Sequence, residues 1–461
     1  MLSRKLFLTS LAAAGAGIRR SYACAGEKPT VKFGVMSDSH VTDDPGTAEP
    51  LRRMFRHMAA ECVDAVVHCG DICDHGVFSE LELVLSAWKE AFPGGKNAAG
   101  RKVEPFFVFG NHDYRPLPRA RGRSAAGDER ASGILYNKEK AWRMLAGETF
   151  PGEVFSKEIN GITFIGAHWA HEGETREWFR KHPPDANKPV FYVQHPHPGN
   201  TCFGDWAATD TVSRDILMSH PNLFSFSGHS HITVCDDRAM WQGGFVSMGA
   251  GSARLVSVGR RTGCENIGMK KWPDGVFRHM PPARSGTSWQ ASIVKVYCDR
   301  VEVTRHDYLN DESLGEPWRI DFPFTYDAKA PYLIADAARA PQFQGGAKVT
   351  VSEKTGKRQP DLAMEPQVYV TVPAAVGDGP HARVFYYRVE VLDAEGKTLK
   401  ERKVVQRDLA LAEMRTVKTV GWCVFAKDEL PKGIAIRFRV HPQNTSGREG
   451  RAITSAPVVL A

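Results

Sequence analysis

The sequence predicts an α/β domain followed by a separate all-β sandwich. Short apolar strands alternate with amphipathic helical segments over the first two-thirds of the 461 residues, the pattern of βαβ units with a largely parallel sheet. Residues 311–345 are Pro-rich and irregular and read as a linker. Beyond them the helical period disappears, and strands separated by turn residues take over.

The elements follow in order. Val31–Val35 is an apolar strand that runs into Ser37-Asp38-Ser39-His40. Leu51, Met54, Phe55, Met58 and Cys62 then recur at helical spacing and read as core. Asp64–Cys69 is a second strand, ending at Gly70-Asp71, and Phe78–Phe92 an amphipathic helix closed by Pro93-Gly94-Gly95. Phe106–Phe109 is a third strand, ending at Gly110-Asn111-His112-Asp113. Further strands are expected at Ile162–Ala167, Val190–Val193 and Leu223–Phe226, the last two ending in histidines. In the final third, Lys348–Val351, Gln367–Val372, Val384–Leu392, Trp422–Phe425 and Ile434–Val440 read as strands, with a hairpin turn at Asp393–Gly396. Residues 346–461 therefore form a sandwich of ordinary size. The run from Arg437 to Val458 resembles the last hairpin of a fibronectin type III domain.

Composition narrows the function classes. Hydrophobic residues make up 42% and charged residues 25%, which excludes a largely disordered or polytopic membrane protein. The formal charge of +7 includes four basic residues and no acid within residues 1–25, so the remainder carries only +3 and gives no electrostatic case for nucleic-acid binding. Residues 1–25 read as an export signal: a basic start, a short weakly apolar stretch from Leu6 to Gly17, and small residues Ala23-Cys24-Ala25 at the cleavage positions. Ser3-Arg4-Lys5-Leu6-Phe7-Leu8 resembles the twin-arginine export motif with Lys5 in the second Arg position, and general secretion stays open. The expected location is the bacterial periplasm or cell surface, with no transmembrane segment after cleavage. Of nine cysteines, Cys69 and Cys298 fall in apolar strand patterns and are expected as free buried thiols.

Five strand ends share one property: each delivers metal-ligating side chains just past its C-terminal end, where open α/β sheets place their sites. They are Asp38-Ser39-His40, Gly70-Asp71, Gly110-Asn111-His112-Asp113, Gln194-His195 and Gly228-His229-Ser230-His231. Gly70, Gly110 and Gly228 are read as sharp turns that aim the next side chain into the crevice. Carboxylate, amide oxygen and imidazole together suit divalent transition metals, and seven such ligands are too many for one tetrahedral ion. They suit two ions with one bridging carboxylate.

This ordered set, D-x-H, GD, GNHD, H and GHxH, resembles the calcineurin-like metallophosphoesterases over roughly residues 31–310. The resemblance implies a catalytic domain over 26–310, built as two mixed β-sheets flanked by helices. It implies that Asp38, His40 and His231 hold one ion, that Asn111, His195 and His229 hold the other, and that Asp71 bridges them. Manganese, iron and zinc all fit. A hydroxide between the ions would attack a phosphate ester. His112 would bind substrate and stabilise the transition state or protonate the leaving oxygen, with Asn111 also at the substrate and Asp113 orienting the His112 ring. In Gln194-His195-Pro196-His197-Pro198, His195 fits as the ligand and His197 as a substrate-pocket residue; a longer strand would make His197 the ligand. Purple acid phosphatases carry a metal-bound Tyr three residues after the bridging Asp; Asp74 stands there, so no iron–tyrosinate colour is expected.

The substrates implied are phosphodiesters, with phosphomonoesters, including nucleotides, as the alternative. A non-catalytic envelope-binding protein with a vestigial metal site is a third reading, opposed by the intact ligand set. The sequence leaves the partner of the sandwich open. His168 and His171 follow a strand, with pocket and surface both open to them, and Arg115, Arg119, Arg121 and Arg123 read as a solvated loop.

Overall fold

The computed structural model describes residues 28–114, 133–169, 172–202, 212–256, 288–326, 339–357, 363–377, 384–405, 419–444 and 447–460. The segment read as an export signal and the four loop arginines lie outside them. Among the described residues, no helix is long and apolar enough to cross a membrane.

The first region holds β1 (Val31–Met36), α1 (Glu49–Ala60), β2 (Ala65–His68), α2 (Phe78–Ala91), β3 (Glu104–Phe107), α3 (Lys138–Ala146), β4 (Val154–Ile159), β5 (Ile162–Ala167), α4 (Glu172–Lys181), β6 (Val190–Gln194), α5 (Val212–Leu217), β7 (Leu223–Ser227), β8 (Met240–Gln242), β9 (Val246–Gly249), β10 (Gln290–Val296), β11 (Arg300–Asp307), β12 (Glu312–Ser313) and β13 (Trp318–Asp321). They build two mixed sheets. One runs β12-β11-β10-β1-β2-β3, with β13 also on β11. Its β1, β2 and β3 are parallel, and β10 to β13 are antiparallel additions. The other runs β4-β5-β6-β7-β9-β8, parallel in its centre and antiparallel at both edges.

Both sheets are buried on their facing sides, so the central strands read as near-continuous apolar runs. Phe33 of β1 meets Phe164, Phe191 and Phe226 of β5, β6 and β7 edge-on, with centroids 5.0, 5.0 and 5.9 Å apart. This aromatic contact locks one sheet over the other. Helix α1 lays Leu51, Met54, Phe55 and Met58 on that core. It stops at Ala60, because Cys62, grouped with it by periodicity, is in the left-handed region at φ 54°.

Two expectations change here. The stretch read as a linker contains β12 and β13, both paired with β11. Trp318 and Ile320 are buried there while Arg319 and Asp321 point outward, a strand alternation masked by the surrounding prolines. Cys298 is disulfide-bonded rather than a free buried thiol. Strand β10 ends at Val296, which leaves Cys298 exposed in the turn before β11; the other cysteines among the described residues are free, Cys69 buried among them.

Among the described residues the C-terminal region holds one short 3-10 turn and the strands β14 (Gln342–Phe343), β15 (Thr350–Lys357), β16 (Met364–Pro373), β17 (Ala375–Val376), β18 (Val384–Leu392), β19 (Thr398–Val405), β20 (Thr419–Ala426), β21 (Ala435–Asn444), β22 (Ile453–Thr454) and β23 (Val458–Val459). One sheet runs β15-β16-β20 and the other β19-β18-β21-β22, with β23 also on β21. Val368, Val370 and Phe425 of the first sheet share a core with Val389, Val391, Phe438 and Val440 of the second. The alternation along β21 has its expected result, with Ile436, Phe438 and Val440 inward and Arg437 and Arg439 less buried. The two regions touch where Arg238, buried and paired with Asp236, lies 4.2 Å from the Phe385 ring of β18.

Candidate metal centre

The parallel strands β1, β2, β6 and β7 end at one edge of the two-sheet sandwich, together with β3, and the loops after them converge. Asp38, His40, Asp71, His229 and His231 all adopt left-handed backbone, with φ between 43° and 66°. Residues with a Cβ avoid that region, and such strain concentrates at functional sites. Gly70 is left-handed too, at φ 97°, as its reading as a turn requires. Gly110 and Gly228 are needed for a different reason, close approach: a Cβ on Gly110 would overlap Asp71, and one on Gly228 would overlap Ser37 and Asp38.

Among the described residues the carboxylates and imidazoles form three close groups, of which two share Asp71 and the third joins His40, Asp74 and His112. Asp38, His40, Asp71 and His231 offer ligand atoms within 4.8 Å of one another, and so do Asp71, His195 and His229. His231 Nε2 is 3.1 Å from both Asp38 Oδ1 and His40 Nε2. His40 Nε2 and His195 Nε2 lie 3.6 and 3.2 Å from the same Asp71 Oδ2. Asn111 Oδ1 and His195 Nε2 are buried and, among the described residues, have no hydrogen-bond partner. Buried polar atoms are rarely left in that condition, and these two are an amide oxygen and an imidazole nitrogen, both good donors to a transition metal. The residues present therefore fit a metal centre.

The outer nitrogens explain the ring orientations. His40 Nδ1 bonds Asp74 Oδ1 at 2.9 Å, His195 Nδ1 the Cys69 carbonyl at 2.7 Å, and His231 Nδ1 the Leu255 carbonyl at 3.0 Å. Donation from Nδ1 to an oxygen leaves Nε2 as the basic nitrogen turned into the crevice, the usual support of a metal-bound histidine.

The electrostatics are those of buried carboxylates and imidazoles that stabilise one another. Burial alone would raise Asp38, but the charges of His231 and His195 outweigh it and hold the carboxyl well below its ordinary value. Asp71 is lowered to about 2 against its burial, chiefly by His195. Burial works against charge on His40, yet its bonds to Asp38 and Asp74 raise it to about 10; His195 rises to about 9, against its burial, through Asp71 and Asp38. The carboxylates thus draw protons onto imidazoles that a divalent cation would displace, so binding should release protons.

Two side chains have surroundings other than those their sequence-based roles called for. His197, expected in the substrate pocket, is fully buried. Its Nε2 meets Ser230 Oγ at 2.8 Å and its Nδ1 meets Ser227 Oγ at 2.6 Å, so it braces the loop that carries His229 and His231. Asp113 does not orient His112: its carboxylate accepts from the backbone N–H groups of Ile72, Cys73 and Gly110 and ties the two loops together. Burial first, then the Asp71 charge, raise Asp113 to about 7. The partner of His112 is Asp74, whose carbonyl accepts from Nδ1 at 2.8 Å and whose carboxylate lies 3.2 Å away. Hydrogen bonds from His112 and then His40 hold Asp74 far below its ordinary value.

Two further residues carried no spacing signal. Arg254 donates to the His40 carbonyl and brings a positive charge beside the first ligand group. His168 is core, stacked against Phe109, Phe150 and Phe155 with Nδ1 accepting from Phe109 N, and the residue beside the site is its neighbour Trp169. His171 lies outside the described residues.

Comparison with known proteins agrees with this geometry. Residues 31–233 match the family model for calcineurin-like phosphoesterases. No curated protein matches the chain. Among solved structures, similarity is found to a conserved protein of Streptococcus pneumoniae TIGR4 described as a predicted phosphoesterase, at 15% identity over 63% of this chain and 97% of that one, TM-score 0.27. It is found also to wild-type Vps29 of Entamoeba histolytica complexed with zinc (11%, 63% and 99%, 0.26), and to an archaeal phosphodiesterase (13%, 63% and 99%, 0.25). What the family match supports is a calcineurin-like phosphoesterase domain at residues 31–233.

Proposed function

We propose that this protein is an exported phosphodiesterase that works with two divalent transition-metal ions shared through Asp71. The observation that carries the proposal is the membership of Asp71 in both ligand groups, beside the buried Asn111 Oδ1 and His195 Nε2, neither of which has a hydrogen bond among the described residues. Asp38, His40 and His231 would hold one ion, and Asn111, His195 and His229 the other. When bound, such ions supply a water acidic enough to ionise near neutral pH and neutralise phosphoryl oxygens.

The chain supplies the rest. Asp71 keeps the two groups in register, and its Oδ1 accepts from the His112 backbone at 2.7 Å, which places that residue beside the crevice. With His112 Nδ1 held by Asp74, Nε2 is the nitrogen that meets the leaving oxygen. The Asp74 carboxylate, 3.2 Å from His112 Nδ1, keeps the ring aimed. Arg254 adds positive charge for a phosphate.

Export is supported by the composition of residues 1–25 and by the disulfide at Cys298, since such bonds persist in oxidising compartments. A fibronectin type III-like C-terminal domain is supported by its sheets of three and five strands around one core. The pairing of β13 supports a catalytic domain that continues to about residue 321.

Asp71→Asn tests the proposal. The variant should stay folded, bind less than two ions per chain and lose roughly a thousandfold or more in kcat, the scale of removing metal stabilisation worth several kcal/mol. Turnover within a few-fold of wild type would reject it.

A further inference from the structure

Trp169 stands at the candidate centre without being able to ligate a metal. It follows β5, with its backbone N–H on the Phe109 carbonyl at 3.0 Å. Its ring centroid lies 5.3 Å from that of His229 and 5.8 Å from that of His195. The indole is only half-buried, although its neighbour His168 is 3% exposed and enclosed by aromatic rings. The chain thus turns His168 into the core and leaves part of the Trp169 indole exposed beside the imidazoles of His195 and His229.

His112 contacts a different part of the ligand set, with its ring 4.4 Å from that of His40. The group that departs with the His112 proton leaves on that side. On the phosphodiesterase reading, the ester group that stays on phosphorus would then face Trp169 beside His195 and His229.

We infer that Trp169 is a specificity-determining residue that stacks against a planar π-system on the retained ester group, and that the preferred substrates are aryl or nucleoside phosphodiesters rather than alkyl ones. The inference rests on the phosphodiesterase reading above. Base–aromatic stacking is insensitive to which ring is stacked, so it selects a class rather than one substrate.

The test uses metal-loaded full-length mature protein and two esters with the same leaving group, phenyl p-nitrophenyl phosphate and methyl p-nitrophenyl phosphate. The ratio of their kcat/KM values is measured in wild type, Trp169→Phe and Trp169→Leu, with metal content determined in each. Comparing ratios between proteins cancels the intrinsic reactivity difference of the two esters. Trp169→Leu should lower the ratio by about tenfold, through the phenyl ester alone, and Trp169→Phe should keep most of it. An unchanged ratio in Trp169→Leu overturns the inference. Loss of metal together with equal loss on both esters also overturns it and makes Trp169 a support for His195 and His229. Hydrolysis of neither ester by loaded wild type falls on the phosphodiesterase reading itself.

Discussion

Replacing His197 with Ala should destabilise the protein without removing a metal ligand. The imidazole is fully buried, and each nitrogen faces a serine hydroxyl, at 2.8 and 2.6 Å. Losing two hydrogen bonds costs about 0.5–1.5 kcal/mol each. The vacated ring volume adds about 2 kcal/mol, near the low end for large-to-small core changes. The expected loss is therefore about 3–5 kcal/mol, or a fall in Tm on the order of 10 °C at about 2–4 °C per kcal/mol. Because Ser230 lies between His229 and His231, loosening it should also weaken metal binding by about 10–100-fold, as loss of a supporting contact does. The assay is thermal unfolding of the full chain with and without added manganese, alongside metal content at saturating metal. Two ions per chain with a lowered Tm is the expected result. An unchanged Tm with one ion lost at saturation would make His197 a ligand and refute the reasoning.

Other perturbations follow from the same geometry. Asp74→Asn should lower kcat by about 10–100-fold with little change in KM, because it positions His112 and His40 without touching the ester; steady-state kinetics decide, and an equal rise in KM would contradict it. Gly228→Ala should cost about 1–3 kcal/mol by overpacking against Ser37 and Asp38, and should weaken binding of the ion at Asp38, as read by isothermal titration. In the sandwich, Glu390 bonds Arg439 at 2.6 Å and His441 at 2.9 Å, and its carboxyl is lowered from near 4.5 to about 2, first by Arg439. A lowered carboxyl stabilises the fold above its ordinary value and loses that contribution as pH falls from about 4.5 toward 2. Denaturant unfolding of Arg439→Gln should therefore differ from wild type at pH 6 and converge with it only near pH 2.

Much of this architecture was legible because strands and ligands coincide. A short apolar run followed by Asp-x-His or Gly-Asn-His-Asp reports both a buried strand and what lies past its end, and β1, β2, β3, β6 and β7 do deliver those residues to one edge. What stayed hidden depends on direction rather than on residue type. His195 and His197 are two apart past the end of β6, and only the path of the chain after Gln194 turns one toward Asp71 and the other into a serine-lined interior. Asp74 acts on His40 and His112, 34 and 38 residues away, through loops whose approach no periodicity encodes. Asp113 looked like the support of its sequence neighbour, yet three backbone N–H groups capture its carboxylate. The four residues of β13 were too short a strand to stand out among prolines, and Trp169 was passed over for the histidines beside it.

The measurement that bears most directly on the central claim is hydrolysis of bis(p-nitrophenyl) phosphate and p-nitrophenyl phosphate by protein from residue 26 onward, stripped of metal and then reloaded with manganese. The account predicts negligible turnover after stripping, recovery with about two ions per chain, and a higher kcat/KM for the diester. Turnover that survives stripping, or recovery complete at one ion per chain, would contradict a centre shared through Asp71, and a strong preference for the monoester would replace the phosphodiesterase reading with that of a phosphatase.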